Sequence, residues 1–194
     1  MGLPDRCERR ALMPPTAPQQ VTPAVDNQAV TPYLVRNATP GDLSAVRDVY
    51  RRSSLSNSND RAALLTHPHL LIWSSDGISS GRTRVATDTA DAVVGFATLK
   101  HSEAGLELED LFVDPDRMRT GVGTLLVSDA GELAASSGQT SIDVTANPHA
   151  AEFYAAVGFI TVGVAHTLFG AASRLRLVVT PGGWTTRPDV CRGQ

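Results

Sequence analysis

The residues best placed to do chemistry lie between Leu106 and Leu133, where a strand pattern meets a helix pattern through a glycine-containing turn. Apolar and acidic residues alternate from Leu106 to Glu109 before an apolar run, which is typical of a β-strand. Apolar residues then recur at helical spacing: Val122, Leu125, Leu126, Ala130 and Leu133. A helix N-terminus offers unpaired N–H groups, and glycine lets an anion approach the backbone. The turn from Asp114 to Gly123 therefore predicts a phosphate or pyrophosphate site.

Two other phosphate-binding loops fit this turn poorly. A dinucleotide fingerprint needs a third glycine three residues after Gly123, where the chain has Leu126. A Walker loop needs Gly-Lys-Ser/Thr, which the sequence lacks. From the turn alone, glycines that serve only tight packing between strand and helix remain an alternative.

Two motifs in this part of the chain resemble the GCN5-related N-acetyltransferases. The letters VDPDRMRTGVGTLL resemble the family's pyrophosphate motif, Arg/Gln-x-x-Gly-x-Gly/Ala, and NPHAAEFYAAVGF is similar to its later motif, N-x-x-A-x-x-F-Y-x-x-x-G-F. The resemblance covers about Tyr33 to Val179 and is sharp from Leu106 to Phe159. One position departs from the pattern, because Met118 stands where the family usually carries Arg or Gln.

The resemblance implies an acetyl-CoA-dependent N-acetyltransferase that needs no metal. It implies that the N–H groups of Arg119 to Thr124 hold the CoA pyrophosphate, that the strand end pairs with the pantetheine arm, and that Asn147 contacts the same arm. The implied cofactor-binding residues are Leu111, Phe112, Val113, Met118, Arg119, Thr120, Gly121, Val122, Gly123, Thr124 and Asn147. Tyr154 matches the family tyrosine proposed as general acid toward the CoA thiolate. A buried core tyrosine is the alternative interpretation.

A carboxylate beside the acceptor amine would hold its ammonium and remove a proton. The candidates are Glu107, Glu109 and Asp110. Strict alternation places Glu107 and Glu109 on one face of the strand and Asp110 on the other, unless a bulge re-aims it. We expect Glu109 to be catalytic and Glu107 and Asp110 to bind substrate. Solvated acids on a half-exposed strand are the alternative for each.

The letters LEDLFV also resemble the diamine and polyamine acetyltransferases within the family. With Glu103, the three acids would form an acidic mouth that suits a small cationic primary amine. A peptide or protein amine is the nearest alternative acceptor. Two further alternatives are a non-catalytic acetyl-CoA-binding module and a nucleotide-binding α/β protein without acyl chemistry.

The elements that would position these residues follow from the remaining pattern. The sequence predicts strands at 33–37, 83–89, 92–100, 141–145, 159–168 and 175–179, helices after Pro40, over 61–73 with a break at Pro68, and over 147–157, and loops at 53–60, 74–82 and 170–173. Together with the resemblance, this predicts an α/β (α+β) fold. Its sheet is mixed, mainly antiparallel, flanked by helices, and splayed at the acetyl-CoA site.

Length, net charge and cysteine content limit the domain organisation and the classes of partner that we expect. The 194 residues suit one domain at 32–180, an N-terminal tail at 1–31 that is disordered or loosely attached, and a C-terminal tail at 181–194. A net charge of −3 gives no reason to expect nucleic acid. Cys7 and Cys191 suggest neither a disulfide framework nor a zinc site, so we expect a cytoplasmic protein. We expect no membrane partner, and we consider a homodimer possible.

Overall fold

The computed structural model describes residues 32–102, 105–167 and 170–180, which form one seven-stranded sheet with helices packed on it. The strands are β1 (Leu34–Asn37), β2 (Thr83–Thr87), β3 (Val93–Ser102), β4 (Gly105–Val113), β5 (Ser141–Ala146), β6 (Ile160–Thr167) and β7 (Gly170–Val178). The helices are α1 (Leu43–Ser56), α2 (Ser58–Thr66), α3 (Asp76–Ser79), α4 (Val122–Ser136) and α5 (Ala151–Ala156). The two predicted tails, with Cys7 and Cys191, and also Glu103 lie outside the described residues.

The sheet has the order β1-β2-β3-β4-β5-β7-β6. Every neighbouring pair is antiparallel except β4 and β5, which run parallel. These two strands pair only at Leu106 with Ile142 and at Glu107 with Asp143, although β4 continues to Val113 and β5 to Ala146. The sheet therefore opens into a split beyond Glu107. This confirms the predicted mixed, mainly antiparallel and splayed sheet.

Two apolar cores lie on the sheet. In the larger core, Leu126 and Val127 of α4 pack with Ile142 of β5 and Leu177 of β7. In the smaller core, Val46 of α1 packs with residues that include Val85, Phe96 and Trp73. The helical spacing predicted for α4 is confirmed, because Val122, Leu126 and Ala130 are all buried.

Three predicted loops are wrong in detail. Residues 53–60 are mostly helical: α1 continues to Ser56 and α2 begins at Ser58, and α2 packs through Leu64, which is buried while most of the helix is exposed. The predicted loop at 74–82 contains the short helix α3, which buries Ile78. The predicted turn at 170–173 belongs to β7, whose residues Ala171 and Ser173 pair with His166 and Val164 of β6. In each case tertiary packing or strand pairing outweighs a polar or small-residue composition.

Among the described residues, no helix combines the length and the apolar character that crossing a bilayer requires. All described residues belong to one compact unit.

Gly95 of β3 lets the N-terminus of α4 pack closely against the sheet. A Cβ atom at this position would lie 2.8 Å from Cγ1 of Val122 and 3.0 Å from the carbonyl oxygen of Phe112. The first turn of α4 therefore packs so close to β3 that only glycine fits at position 95.

We predict that Gly95→Ala destabilises the protein by about 1–3 kcal/mol, because the added methyl overpacks the contact between β3 and α4. Gly41→Ala is a matched control, since its Cβ would lie 3.6 Å from the nearest atom, Oγ1 of Thr39. Urea unfolding of both variants measures the difference. Equal stability of the two variants would contradict the packing argument.

Candidate active site

The turn between β4 and α4 is concave and carries two left-handed residues. Asp114 begins it, with its side chain accepting a hydrogen bond from the N–H of Asp116 at 2.9 Å. Arg119 has φ of 63° and Gly121 has φ of 95°. Left-handed geometry is unusual for a side chain such as that of Arg119 and ordinary for glycine. The chain thus reverses direction immediately before α4 begins at Val122.

The backbone N–H groups of Arg119 to Thr124 donate to no other residue that the structure describes. The first N–H groups of any α-helix lack intrahelical acceptors, and here the three residues before the helix add theirs. They lie at the positive end of the α4 dipole. A Cβ on Gly121 would meet no atom within 4 Å, so the space beside these donors is open. This arrangement suits an anion with several oxygens.

Gly123 serves a different purpose from Gly121. A Cβ at position 123 would lie 3.1 Å from Cε2 and Cζ of Phe153, so this glycine allows α5 to pack against the start of α4. The packing interpretation therefore holds for Gly123, and the phosphate interpretation of the turn stays a prediction. Gly121 shapes the turn, and Gly123 brings the two helices together.

Ion pairs from α1 and from the β2–β3 turn hold the loop in place. Arg52 of α1 pairs with Asp114 and with Asp116, the second at 2.8 Å. Arg117 pairs with Asp88 at 3.4 Å. The latter contact engages the Arg117 guanidinium with the β2–β3 turn. No spacing rule in the sequence could have paired Arg52 with residues 62 and 64 positions later.

Tyr33 and Thr120 add a further anchor to the same loop. The Tyr33 hydroxyl donates to Oγ1 of Thr120 at 3.0 Å, and Thr120 donates to the carbonyl oxygen of Arg117 at 2.6 Å. The side chain of Thr120 thus organises the loop, while its N–H group is one of the unpaired donors.

Met118 lies on the surface with 44% of its area exposed.

The acidic strand β4 contains a bulge that sequence alternation did not fix. Thr98 of β3 pairs with Asp110, but the next residue, Leu99, pairs with Leu108, so Glu109 is the extra residue. Since Lys100 pairs with Glu107, the register places Glu107 and Asp110 on the same face. Strict alternation is therefore wrong here, and the bulge that the sequence left open as an alternative is present.

Glu107 and Glu109 are both engaged in ion pairs. Glu107 pairs with Arg174 of β7. Glu109 is exposed and pairs with Arg82 at 3.3 Å and with Lys100 at 3.5 Å. Both carboxylates are therefore largely neutralised by the chain itself.

Asp110 differs from its two neighbours because it is partly enclosed and meets an indole instead of a cation. Nε1 of Trp73 donates to its Oδ2 at 3.0 Å. Burial raises the pKa of the Asp110 carboxyl above its ordinary value, and hydrogen bonds from Trp73 and Thr98 counter part of that rise. A carboxyl with a raised pKa is better matched to a proton transfer near neutral pH than an ordinary one.

Tyr154 of α5 lies near enough to Asp110 for the carboxylate charge to act on its hydroxyl. The tyrosine is 6% exposed, and burial, followed by the negative charge of Asp110, raises its pKa far above the ordinary value. Its ring makes edge contacts with Phe153 and Phe159, at centroid distances of 5.2 and 5.1 Å. Its hydroxyl forms no hydrogen bond with any side chain in the described ranges. Tyr154 thus carries its proton at all ordinary pH values and can donate it.

The remaining predicted residues lie on the two arms of the split. Leu111, Phe112 and Val113 pair with β3 on one side, while their other side faces the opening, because β5 has diverged. Asn147 follows β5 on the opposite arm, where its Oδ1 accepts from the N–H of Ala150 at 3.0 Å. That contact caps the short turn before α5. The structure therefore gives Asn147 a structural role, and its contact with CoA stays a prediction.

Residues 74–169 match the sequence profile described as acetyltransferase (GNAT) domain. Over this range the chain is similar to GNAT acetyltransferase domains. The two motifs that suggested this family both lie inside the matched range. No curated protein sequence matches the chain.

Solved structures share the fold of this domain. A GCN5-related N-acetyltransferase from Rhodopseudomonas palustris has 22% identity and a TM-score of 0.62, over 75% of this chain and 95% of that one. The PaiA N-acetyltransferase of Thermoplasma acidophilum, in complex with coenzyme A, has 17% identity and a TM-score of 0.58, over 74% and 97%. The ribosomal-protein-S18-alanine N-acetyltransferase of Escherichia coli has 19% identity and a TM-score of 0.57, over 78% and 96%. At these identities the likeness concerns the fold alone.

Among the described residues, no group of three or more His, Cys, Asp or Glu side chains is placed to hold a metal ion.

We predict that Met118→Arg strengthens acetyl-CoA binding by about tenfold or less, because one charge-assisted contact to a phosphate contributes up to roughly 1.4 kcal/mol at a surface site. Met118 is largely exposed, so the change should leave stability unaltered. Isothermal titration at two salt concentrations measures the affinity and its salt dependence. Met118→Leu is the control, and a Met118→Arg affinity equal to that of the control would place position 118 outside the phosphate site.

Proposed function

We propose that the protein is an acetyl-CoA-dependent N-acetyltransferase that moves an acetyl group to a primary amine by direct attack in a ternary complex. The observation that carries this proposal is the split between β4 and β5. It has unpaired backbone donors at one end, and both Asp110 and Tyr154 beside it.

The residues present fit acetyl-CoA. The N–H groups of Arg119 to Thr124 would hold the pyrophosphate at the α4 N-terminus. The unpaired side of Leu111 to Val113 would bond to the amide groups of the pantetheine arm, as an added strand would. Acetyl-CoA supplies the thioester whose acetyl group is transferred.

The proton transfers can be assigned to two side chains. Asp110 accepts one proton from the acceptor ammonium and passes it to solvent, which leaves an amine lone pair to attack the thioester carbon. Tyr154 donates its proton to the sulfur as the C–S bond breaks. The second proton lost by the nitrogen returns through water to the Tyr154 oxygen. One amide, one free CoA thiol and one released proton result from each turnover.

Asp110 replaces Glu109 as our preferred base. Glu109 was the expectation from the sequence, but it is exposed and neutralised by Arg82 and Lys100. Asp110 is more enclosed, has a raised pKa, and lies close enough to Tyr154 to influence its ionisation.

For the acceptor we propose a small cationic primary amine, polyamine-like in its charge. Glu107, Glu109 and Asp110 lie on the strand that borders the site, and carboxylates attract such amines. Because Glu107 and Glu109 are already paired, Asp110 is the carboxylate that best suits the reacting ammonium. A peptide or protein amine is the alternative acceptor, and a non-catalytic acetyl-CoA-binding module is the alternative function.

We predict that acetyl-CoA and CoA stabilise the protein against heat, whereas ATP and NAD do not. A ligand at a hundred times its dissociation constant adds about 2.7 kcal/mol, which raises the midpoint of a domain of this size by roughly 5–10 °C. Thermal unfolding measures the shift, and release of free thiol across polyamines, amino acids and peptides identifies the acceptor.

Each outcome of that experiment has a distinct meaning. Stabilisation by acetyl-CoA without thiol release on any amine would favour the non-catalytic module. Release with peptides alone would favour the alternative acceptor class. Stabilisation by ATP or NAD in place of acetyl-CoA would overturn the whole proposal.

We predict that Asp110→Asn lowers kcat/KM by about 100-fold or more, the usual contribution of a general base, and at the same time raises thermal stability at pH 7. A carboxyl whose folded pKa is raised destabilises the fold once the pH exceeds that pKa, so the neutral amide relieves this cost. Because a protonated carboxyl cannot act as a base, wild-type kcat/KM should fall as the pH falls through the Asp110 pKa.

Glu109→Gln is the matched control for this prediction, because it removes a neighbouring carboxylate on the same strand. We expect its kcat/KM to stay within about threefold of wild type, since the screened pair it breaks is worth only 0–1 kcal/mol. A large loss in Glu109→Gln together with a small loss in Asp110→Asn would restore Glu109 as the base.

The cytoplasmic location, the homodimer, the lack of nucleic-acid and membrane partners and the domain boundaries at 32–180 all stay predictions. The match to an acetyltransferase domain leaves the nucleotide-binding alternative without support.

A further inference from the structure

Trp73 makes a polar contact that the sequence analysis did not anticipate. Its Nε1 donates to Oδ2 of Asp110 at 3.0 Å, across 37 positions of the chain. The indole is 6% exposed, so the hydrogen bond is sheltered from water. An enclosed N–H group that meets a carboxylate fixes both the position and the rotamer of that carboxylate.

Helix α1 and strand β3 hold Trp73 in place. Nε of Arg47 on α1 donates to the Trp73 carbonyl oxygen at 3.3 Å. The indole meets the ring of Phe96 edge-on, with centroids 5.1 Å apart. The segment that carries the indole is thus restrained through both its backbone and its ring.

The groups that face Asp110 come from several elements. Thr98 of β3 donates a hydrogen bond to it, Tyr50 of α1 and Tyr154 of α5 lie within reach of its charge, and Arg82 and Glu109 influence it with opposite signs. Both tyrosines are neutral at ordinary pH because burial raises each pKa. Apart from Thr98, Trp73 is the residue that donates a hydrogen bond to this carboxylate within the described ranges.

We propose that Trp73 is the positioning residue for Asp110, and that its indole N–H orients the carboxylate for proton transfer from the acceptor ammonium. This inference rests on the proposed function, in which Asp110 is the base. Trp73 itself exchanges no proton and forms no bond to the acetyl group.

The same contact also sets the pH range in which Asp110 can act. A hydrogen bond donated to a carboxylate stabilises its charged form and lowers its pKa, while burial works in the opposite direction. Trp73 therefore offsets part of the rise in the Asp110 pKa that burial causes. Without the N–H group, Asp110 would take up its proton at higher pH and cease to act as a base there.

The test is Trp73→Phe, which retains an aromatic ring against Phe96 but has no N–H donor. We expect the acidic limb of the kcat/KM–pH profile to move upward by about one pH unit, the equivalent of one hydrogen bond to a charged group. Acetyl-CoA affinity should not change, because Trp73 contacts Arg47, Phe96 and Asp110 and has no hydrogen bond to the described residues of the α4 turn.

Tyr50→Phe is the matched control. Tyr50 belongs to the same aromatic core and lies near Asp110, but its hydroxyl donates to Leu70. Its loss should therefore leave the acidic limb in place. A limb that moves equally in both variants, or in neither, would overturn the proposal and leave Trp73 with a packing role.

A second measurement separates this inference from the proposed function. The carboxyl pKa of Asp110 can be read by ¹³C NMR titration in wild type and in Trp73→Phe, with Asp110→Asn to assign the signal. An upward shift in Trp73→Phe supports the contact between the two residues. An unchanged value overturns the inference even if the enzyme is active, whereas absence of acetyl transfer by wild type overturns the proposed function.

Discussion

The parallel pairing of β4 with β5 is the constraint on which the rest of this structure depends. The two strands share only two residue pairs before they separate. Up to that point the sheet is continuous, and beyond it β4 has backbone groups on one side with no strand to bond. Unpaired N–H and C=O groups on a strand edge attract another extended chain. In the proposed function, a pantetheine arm with its two amides would be such a partner.

The turn after β4 follows from the same opening. α4 packs over β3 because Gly95 leaves room beneath Val122, and α5 packs against α4 because Gly123 leaves room for Phe153. These close contacts set the N-terminus of α4 beside the end of β4. Arg52 and Asp88 then hold the loop by ion pairs from separate elements. The unpaired N–H groups are therefore rigidly placed, which reduces the ordering that binding would otherwise require.

Charge near the split is more balanced than the acidic strand suggests. Arg174, Arg82 and Lys100 neutralise Glu107 and Glu109, and Asp110 meets an indole N–H. An enclosed carboxylate without a cation is costly to the fold, which is the usual mark of a group kept for function. The position of Tyr154 near Asp110 adds a second titratable group whose proton stays bound. In the proposed mechanism, the pair would separate the tasks of accepting and donating a proton.

The sequence by itself determined the local elements and the family. Periodicity of two and of 3.6 depends on near neighbours in the chain, so β3, β4, β5 and α4 could be placed with errors confined to their ends. The two motifs identified the acetyltransferase domain, because glycine at positive φ and an Asn-initiated helix are local requirements. The tertiary structure decided what no local pattern encodes. The bulge at Glu109 arises from pairing with β3. It places Asp110 on the same face of the strand as Glu107, where strict alternation had placed them on opposite faces. The ion pairs of Glu107 and Glu109, the Arg52 anchor and the Trp73 contact join residues far apart in the chain. Their partners are set by packing of whole elements, and this is why the choice among three carboxylates required the fold.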